Sequence, residues 1–334
     1  MPTCGRFPMP YSARVNDHAA DAAPGISAPP RPAGERLGLV TGIAAYGIWG
    51  FFPLLFPLLL PAGPLEILAH RVLWSMLAVG LVLVALRHPW GWLRDALAPR
   101  QLPWMLLGSL LIGANWLTFI WAINNNHVVE SSLGYFINPL VNILLGVLVF
   151  GEKMSRGGLI GTLLAAAGVT VIAWQNWAGL WVSLTLAASF GLYGLVKKRA
   201  TLPALEGLFL ESGLLTPLAV AYWVYLAATG ASTFGAGLGH SALLILAGIL
   251  TALPLWLFAI AAPRLPLGVV GVLQYVAPTI QFLLGLTVFK QVVTPSYWAG
   301  LILVWCGSVV YLATVFSRTR RARAARPSDA TAPH

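Results

Sequence analysis

The sequence predicts an all-α integral membrane protein whose ten transmembrane helices form two inverted five-helix repeats. Three observations carry that prediction: little charge, apolar runs of membrane-spanning length along almost the whole chain, and a second half that echoes the first. Of 334 residues, 58% are hydrophobic and 9% charged, with a mean hydropathy of +0.80. A soluble domain carries about 25% charged residues. Crossing a hydrocarbon core of roughly 30 Å takes about 20 apolar residues of helix. The backbone there must satisfy its own hydrogen bonds, which selects helices, and the period-two alternation of a membrane barrel is absent.

Residues 1–36 are rich in Pro, Ala and charge and lack the apolar centre of a signal peptide. They read as a disordered cytoplasmic tail, or in part as the product of a start codon placed too far upstream. The first span is 37–60. The second, 65–86, opens with Glu66, favoured there by the helix dipole, and carries His70 and Arg71. The third, 102–123, holds Asn115, Trp116 and Trp121. The fourth, 128–150, starts beside Glu130 and is interrupted at its midpoint by Asn138 and Pro139, with Asn142 behind them. The fifth and sixth are 157–174 and 177–196; the seventh, 207–228, contains Glu211. The eighth is 241–262; the ninth, 267–289, carries Gln274, Tyr275, Pro278 and Gln281; the tenth is 295–316. Residues 317–334, with five arginines, form a basic tail suited to an anionic membrane face.

Basic residues set the orientation. With the N-terminus inside, the tails and cytoplasmic loops hold eighteen of the twenty Lys and Arg residues, leaving Lys290 in an outer loop and Arg71 inside a span. That asymmetry points to ten helices with both termini in the cytoplasm. The formal charge of +10 is thereby explained by topology and lipid contact, and nucleic-acid binding is not expected. Cys4 and Cys306 form neither a disulfide pattern nor a metal site, and no cofactor is expected.

The halves align in order. "NPLVNILLGVLVF" (138–150) matches "APTIQFLLGLTVF" (277–289) at an offset of 139, which also carries Gly161 to Gly300 and Gly168 to Gly307. "AAYGIWG" (44–50) matches "ASFGLYG" (188–194), and "LEILAHR" (65–71) faces "LEGLFLE" (205–211). The repeats are placed at 37–174 and 175–316. Because five is odd, the second copy enters the membrane upside down, an arrangement characteristic of transporters.

Proline inside a spanning helix frees a carbonyl, tolerated where protein or a wet cavity receives it. Pro139 and Pro278 sit at equivalent midplane positions and are read as paired helix breaks that mark a central site. At about 100° per residue, Ser132, Tyr135, Asn138, Asn142 and Gly146 share an arc of about 120°, and Gly271, Gln274, Ala277, Gln281 and Gly285 trace the same arc on the ninth span. Polar stripes facing lipid are costly, so both should face inward. The competing reading is that the carboxamides join neighbouring helices and the glycines permit close packing. Tyr135, Asn138, Asn142, Gln274, Tyr275, Gln281, Asn115, Trp116 and Trp121 are the candidate substrate-binding residues; Trp121 doubles as an interface anchor. Arg71, His70, Glu130 and Glu211 are coupling or gating candidates. Arg71 and Glu211 occupy equivalent positions, but inversion leaves roughly 12 Å of depth between them, so no salt bridge is expected.

Several motifs are long enough to carry a resemblance: "HRVLWS" (70–75), "GANWLTFIWAINNNH" (113–127), "ESSLGYFINPLVNILLG" (130–146), "GEK" (151–153), "FGLYGLVKK" (190–198) and "LQYVAPTI" (273–280). Over about residues 37–316 the chain resembles the RarD branch of the EamA family, in the drug/metabolite transporter superfamily. The resemblance implies a bacterial inner-membrane protein of two inverted EamA repeats that moves a small metabolite or drug-like solute. A chloramphenicol-sensitivity phenotype gives the branch its name. Family members often repeat the Gly-Glu-Lys corner after the ninth helix; here Lys290 and Gln291 stand in its place.

The expected function is secondary transport or facilitated passage by alternating access. Carboxamides and aromatics suit a neutral or zwitterionic solute, such as an amino acid or a chloramphenicol-like drug. The partners expected are that solute and membrane lipid. No Walker A sequence supports ATP drive. The alternatives are an intramembrane enzyme, which the absence of HExxH and GxSxG disfavours, and a membrane assembly partner without transport.

Overall fold

A computed structural model describes residues 32–150, 156–175, 177–199, 202–265 and 267–324, with the backbone alone described at some of them, Pro139, Asn142 and Gly146 included. Gly151, Glu152 and Lys153 lie outside the described residues. The described residues contain helices and no strand. α1 spans Pro32–Leu55 and continues as a 3-10 turn, Phe56–Leu59; α2 spans Pro64–Ala85; α3 is a short helix, Gly91–Ala96. α4 covers Leu102–Asn124, α5 Val128–Phe150, α6 Arg156–Gln175 and α7 Trp177–Arg199. α8 covers Ala204–Thr229, α9 Leu238–Ala261, α10 Leu267–Leu273, α11 Val276–Thr287 and α12 Pro295–Ala324. Among the described residues, seven helices are long and apolar enough to cross a membrane: α1 with its extension, α2, α4, α6, α7, α8 and α9.

Boundaries differ from the sequence prediction where local chemistry decides them. α1 begins at Pro32, earlier than expected, with Glu35 in its first turn, where proline and a carboxylate both favour a helix start. α12 runs to Ala324, past the predicted end at 316, with no proline or glycine in its last two turns. α3 was not predicted; it lies between α2 and α4, with Trp90 and Trp92 packed on Phe209 of α8.

The paired helix breaks are corrected in one half. The ninth predicted span is two helices, parted at Gln274 and Tyr275 one turn ahead of Pro278, where the missing proline N–H leaves the ladder open. α5 runs unbroken through Pro139. One absent hydrogen bond bends a helix without having to end it.

The neighbours are few and long. α6 lies along α12; α2 packs on α8 and α9; α7 on α4 and α5; α1 on α9 and α11; α5 on α11; and α4 on α8. Two glycine pairs bring α6 and α12 to backbone contact. Gly161 faces the carbonyl of Gly307, and Gly168 that of Gly300. Small residues at such crossings supply close packing in lipid, where helix association gains no hydrophobic drive. A core of Phe52, Phe56, Leu59, Ile67, Phe119, Ile120, Val182, Leu186 and Leu244 joins α1, α2, α4, α7 and α9.

Candidate functional site

Arg71 lies seven residues into α2, beneath the helix start at Pro64, and is 3% exposed. Its Nε donates to Thr251 Oγ1 of α9 at 3.0 Å. The guanidinium carbon sits 5.0 Å from the Trp116 ring centroid, 5.4 Å from that of Phe56 and 5.6 Å from that of Phe52. Arginine keeps its charge in almost any surroundings, and the negative faces of three rings offset part of its desolvation. Nη1 finds no hydrogen-bond partner among the described residues, and none of their acidic side chains forms an ion pair with Arg71.

The aromatic box continues toward α5. Phe56 meets Phe119 edge-on at 5.8 Å, and Phe119 meets Tyr135 at 5.6 Å. The Tyr135 hydroxyl donates to Asn115 Oδ1 at 3.1 Å. Asn115 in turn donates to the Leu186 carbonyl at 3.1 Å and to Ser189 Oγ at 3.0 Å on α7. Asn115 is thus fully engaged, and it fixes where the Tyr135 ring points.

Four predicted residues, Arg71, Asn115, Trp116 and Tyr135, therefore come together. Phe52, Phe56, Phe119, Thr251 and Ser189 complete the group and were missed. Phe52 and Phe56 share a helix face four residues apart, but an apolar pair carries no mark of the cation it will meet.

The remaining candidates lie toward α11 and α12. Asn138 is buried, with Oδ1 unpartnered among the described residues. Gln281 donates from Nε2 to the Trp49 carbonyl at 3.2 Å and leaves Oε1 unpartnered in the same sense. Tyr275 stacks on Phe136 at 6.0 Å, and half-buried Gln274 sits at the break between α10 and α11. The Asn142 side chain is outside the described ones.

Residues 36–174 match the EamA-like transporter family. A RarD protein of Streptomyces exfoliatus is 47% identical over 292 residues, covering 87% of this chain and 92% of that relative. The chain belongs to the RarD branch of the EamA family. An uncharacterized transporter of Bacillus subtilis, YojE, is 42% identical over 298 residues, covering 87% of this chain and 97% of its own. A solved crystal structure shares the fold with a TM-score of 0.55 at 16% identity, covering 83% of this chain and 97% of that one. This EamA protein is a multi-pass membrane protein of the drug/metabolite transporter superfamily.

Two polar clusters of this EamA protein lie away from the Arg71 box. Toward the end of the molecule where α7 finishes, Glu211 of α8 accepts from Lys197 Nζ at 3.0 Å and from the Tyr193 hydroxyl at 3.0 Å to each oxygen. Tyr193 and Lys197 are one turn apart on α7 and so reach the same carboxylate. Glu211 therefore pairs with a cation on its own side and not with Arg71.

At the opposite end, Gln291 joins the turn before α5 to the turn after α11. Its Oε1 accepts from the Val129 N–H at 2.8 Å, and its Nε2 donates to the Asn126 carbonyl. Asn126 and Lys290 both adopt positive φ, 60° and 52°, which brings the two turns face to face. Here Gln291 works because an amide both donates and accepts, whereas the glutamate of the family corner only accepts. Glu130 lies beside this clamp, 3.6 Å from His127, with Lys290 and Tyr297 across a cavity of 370 Å³. Trp121 stacks on His127 at 5.5 Å and leans on Trp181.

His70 and Glu66 hold the α8–α9 connection. Glu66 Oε1 accepts from the Thr233 N–H at 2.7 Å and from Ser232 Oγ at 3.3 Å. The His70 ring stacks on Phe234 at 4.8 Å, while Trp74 Nε1 donates to its Nδ1 at 3.2 Å. Phe234→Ala should detach this strap, lowering stability by about 1–3 kcal/mol for a partly buried ring. A drop in melting temperature in detergent, with the helical signal unchanged, is the expected readout.

Proposed function

We propose that the protein is a secondary transporter or facilitator of a small neutral or zwitterionic solute. It works by alternating access of two inverted five-helix repeats, 37–174 and 175–316, which together make ten crossings. The membrane is the bacterial inner membrane, both termini are cytoplasmic, and residues 1–36 and 317–334 are the tails.

One observation carries the reading. Exchanging α1 for α7, α2 for α8, α4 for α9, α5 for α10–α11 and α6 for α12 maps the principal helix neighbours onto themselves, while the smaller α5–α12, α4–α5 and α6–α7 contacts have no counterpart of like extent among the described residues. The α5–α7 contact becomes α11–α1, α4–α7 becomes α9–α1, and α2–α9 becomes α8–α4, while α6–α12, α2–α8 and α5–α11 return to themselves. The glycine crossing obeys the same exchange, since Gly161 against Gly307 becomes Gly300 against Gly168. A pseudo-two-fold contact set of this kind supports an inverted duplication, whose halves can trade shapes around a fixed site.

In this reading the solute site lies between the Glu211 and Gln291 clusters. Arg71, Asn115, Trp116 and Tyr135 form one side of it, and Asn138, Asn142, Gln274, Tyr275 and Gln281 the other. The Glu211 latch closes the cytoplasmic end and the Gln291 clamp the outer end, with Glu130, His70 and Trp121 around the outer rim. Pro139 and Pro278 give both central helices a weak point. The relatives named as transporters are consistent with this assignment.

A thermal-shift screen of amino acids, nucleosides, sugars, polyamines and chloramphenicol-like drugs should yield a selective stabiliser, since a ligand favours the folded state by mass action. In proteoliposomes Asn142→Leu and Gln281→Leu should insert and fold but lose flux of that solute by more than about tenfold. That loss corresponds to about 1.4 kcal/mol at least, within the range for removing a buried hydrogen-bonding partner. Normal flux in both variants would overturn the midplane site.

A further inference from the structure

We infer that Arg71 is the anchor for a single carboxylate on the transported solute. The inference rests on the solute site proposed above but revises its substrate class, from neutral or zwitterionic solutes to monocarboxylates and zwitterions whose acid group enters first.

The case begins with an imbalance. Arg71 is 3% exposed within a helix of membrane-spanning length, yet among the described residues its side chain donates only to a neutral hydroxyl, that of Thr251. A charge at that depth is ordinarily paired or wet. The contrast with the equivalent position in the second half is direct. Glu211 is 6% exposed and has both a cation and a phenol on its carboxylate. Glu211 is supplied with its counter-charge by the protein, whereas Arg71 has aromatic faces and an unpartnered Nη1.

The surroundings limit what can complete it. A guanidinium presents a planar fork that matches the two oxygens of a carboxylate. Phe52, Phe56 and Trp116 stand around it at 5.0–5.6 Å, and Phe119, which meets Phe56, links them to Tyr135. The same rings, with Phe119, give the carbon frame of a small acid an apolar bed. A dianion would leave one charge uncompensated in that box, so one negative group per solute is the expected limit. Inorganic anions share the charge but not the apolar part.

The test uses the purified full-length protein in detergent at matched ionic strength. The probes are acetate, benzoate and 3-phenylpropionate, each beside its primary amide, with chloride and phosphate as inorganic controls. At least one acid should raise the melting temperature with an apparent affinity at least about tenfold above its amide, as a charge-assisted bond to a buried cation requires. Arg71→Gln should bring that ratio close to one, while Arg71→Lys should retain part of it. If Arg71→Gln does not survive purification, tryptophan quenching by the acid and not by the amide, lost in Trp116→Phe, serves the same decision.

Equal shifts by acid and amide, a preference that survives Arg71→Gln, or no shift with any acid would overturn the inference. So would protection by chloride or phosphate equal to that by the acids, which would make this an adventitious anion site. The wider reading is judged separately. Equal acid and amide shifts that both vanish in Asn115→Leu leave the solute site standing without its carboxylate. Shifts indifferent to Asn115→Leu count against the site itself.

Discussion

Leucine at Gly168 should leave almost no folded protein in the membrane. A β-carbon there falls 2.9 Å from both the backbone nitrogen and Cγ2 of Val304, and closer still to the Gly300 carbonyl. Two of those three atoms are backbone, so no rotamer change relieves the clash. The helices must part, and parting them also lifts Gly161 from Gly307, where an added β-carbon would fall 2.7 Å from the carbonyl oxygen. Overpacking that side chains can absorb costs about 1–3 kcal/mol; here a whole crossing is lost, so the expected cost exceeds about 4 kcal/mol, the exceptional end of single substitutions. Gly300→Leu should behave alike. Gly47→Ala, with nothing within 4 Å of its added β-carbon, is the matched control. Monodisperse yield after detergent extraction distinguishes them, and normal yield for Gly168→Leu would refute the close crossing.

The second large effect is on transport alone. Glu211→Gln removes the charge that Lys197 and Tyr193 share but leaves an oxygen for the Tyr193 hydroxyl. Lys197 is 25% exposed along its side chain and can turn to water, and the substitution also removes the buried charge of Glu211, so folding should change by about 1 kcal/mol, less than when one member of a fully buried pair is left charged and alone. In the proposed transport cycle the latch would nevertheless be undone, and flux should fall more than about tenfold, a cost of about 1.4 kcal/mol. In a background with Cys4→Ser and Cys306→Ser, a Ser212→Cys reporter is shielded, because Ser212 is wholly buried. A maleimide added from the inside should reach it faster once Glu211 is Gln. Restoring the pair in reverse, with Lys197→Glu and Glu211→Lys, should recover shielding if Glu211 is a latch. Recovered shielding without recovered flux would show that the carboxylate also carries something through the cycle.

What could be read from the sequence was largely what hydropathy and charge write along a chain. Helices fall on the apolar runs, and the second polar stripe did announce a break, at Gln274 and Tyr275 ahead of Pro278. Pro139 misled in its details because a proline removes one bond, and whether the helix then ends depends on what packs around it. Arg71, Asn115, Trp116 and Tyr135 stood out as polar or amphipathic residues in greasy surroundings, the signal that costly burial leaves in composition. Their partners left none. Phe52, Phe56 and Phe119 are indistinguishable from dozens of lipid-facing neighbours until tertiary packing turns them toward a cation. Gln291 was marked as a departure from the family corner, yet its use as a two-handed clamp depends on Asn126 and Val129, 165 and 162 residues away in sequence. Glu211 was recognised as a buried charge, but its partner Lys197 had been counted as a topological residue at the membrane surface.

Arg71 lies about 10 Å from the start of α2, taking a rise of about 1.5 Å per residue, and in the proposed orientation it would sit within the voltage drop across the membrane. One elementary charge carried through that whole drop is worth about 2.3 kcal/mol per 100 mV. With a monocarboxylate on its guanidinium, as proposed, the site would be electrically neutral, and the loaded protein would change shape with little regard to voltage. Empty, it would return with its positive charge uncovered, so the electrical work would fall on the unloaded half of the proposed cycle. A living membrane, negative inside, would then set the pace of return without ever acting on the cargo.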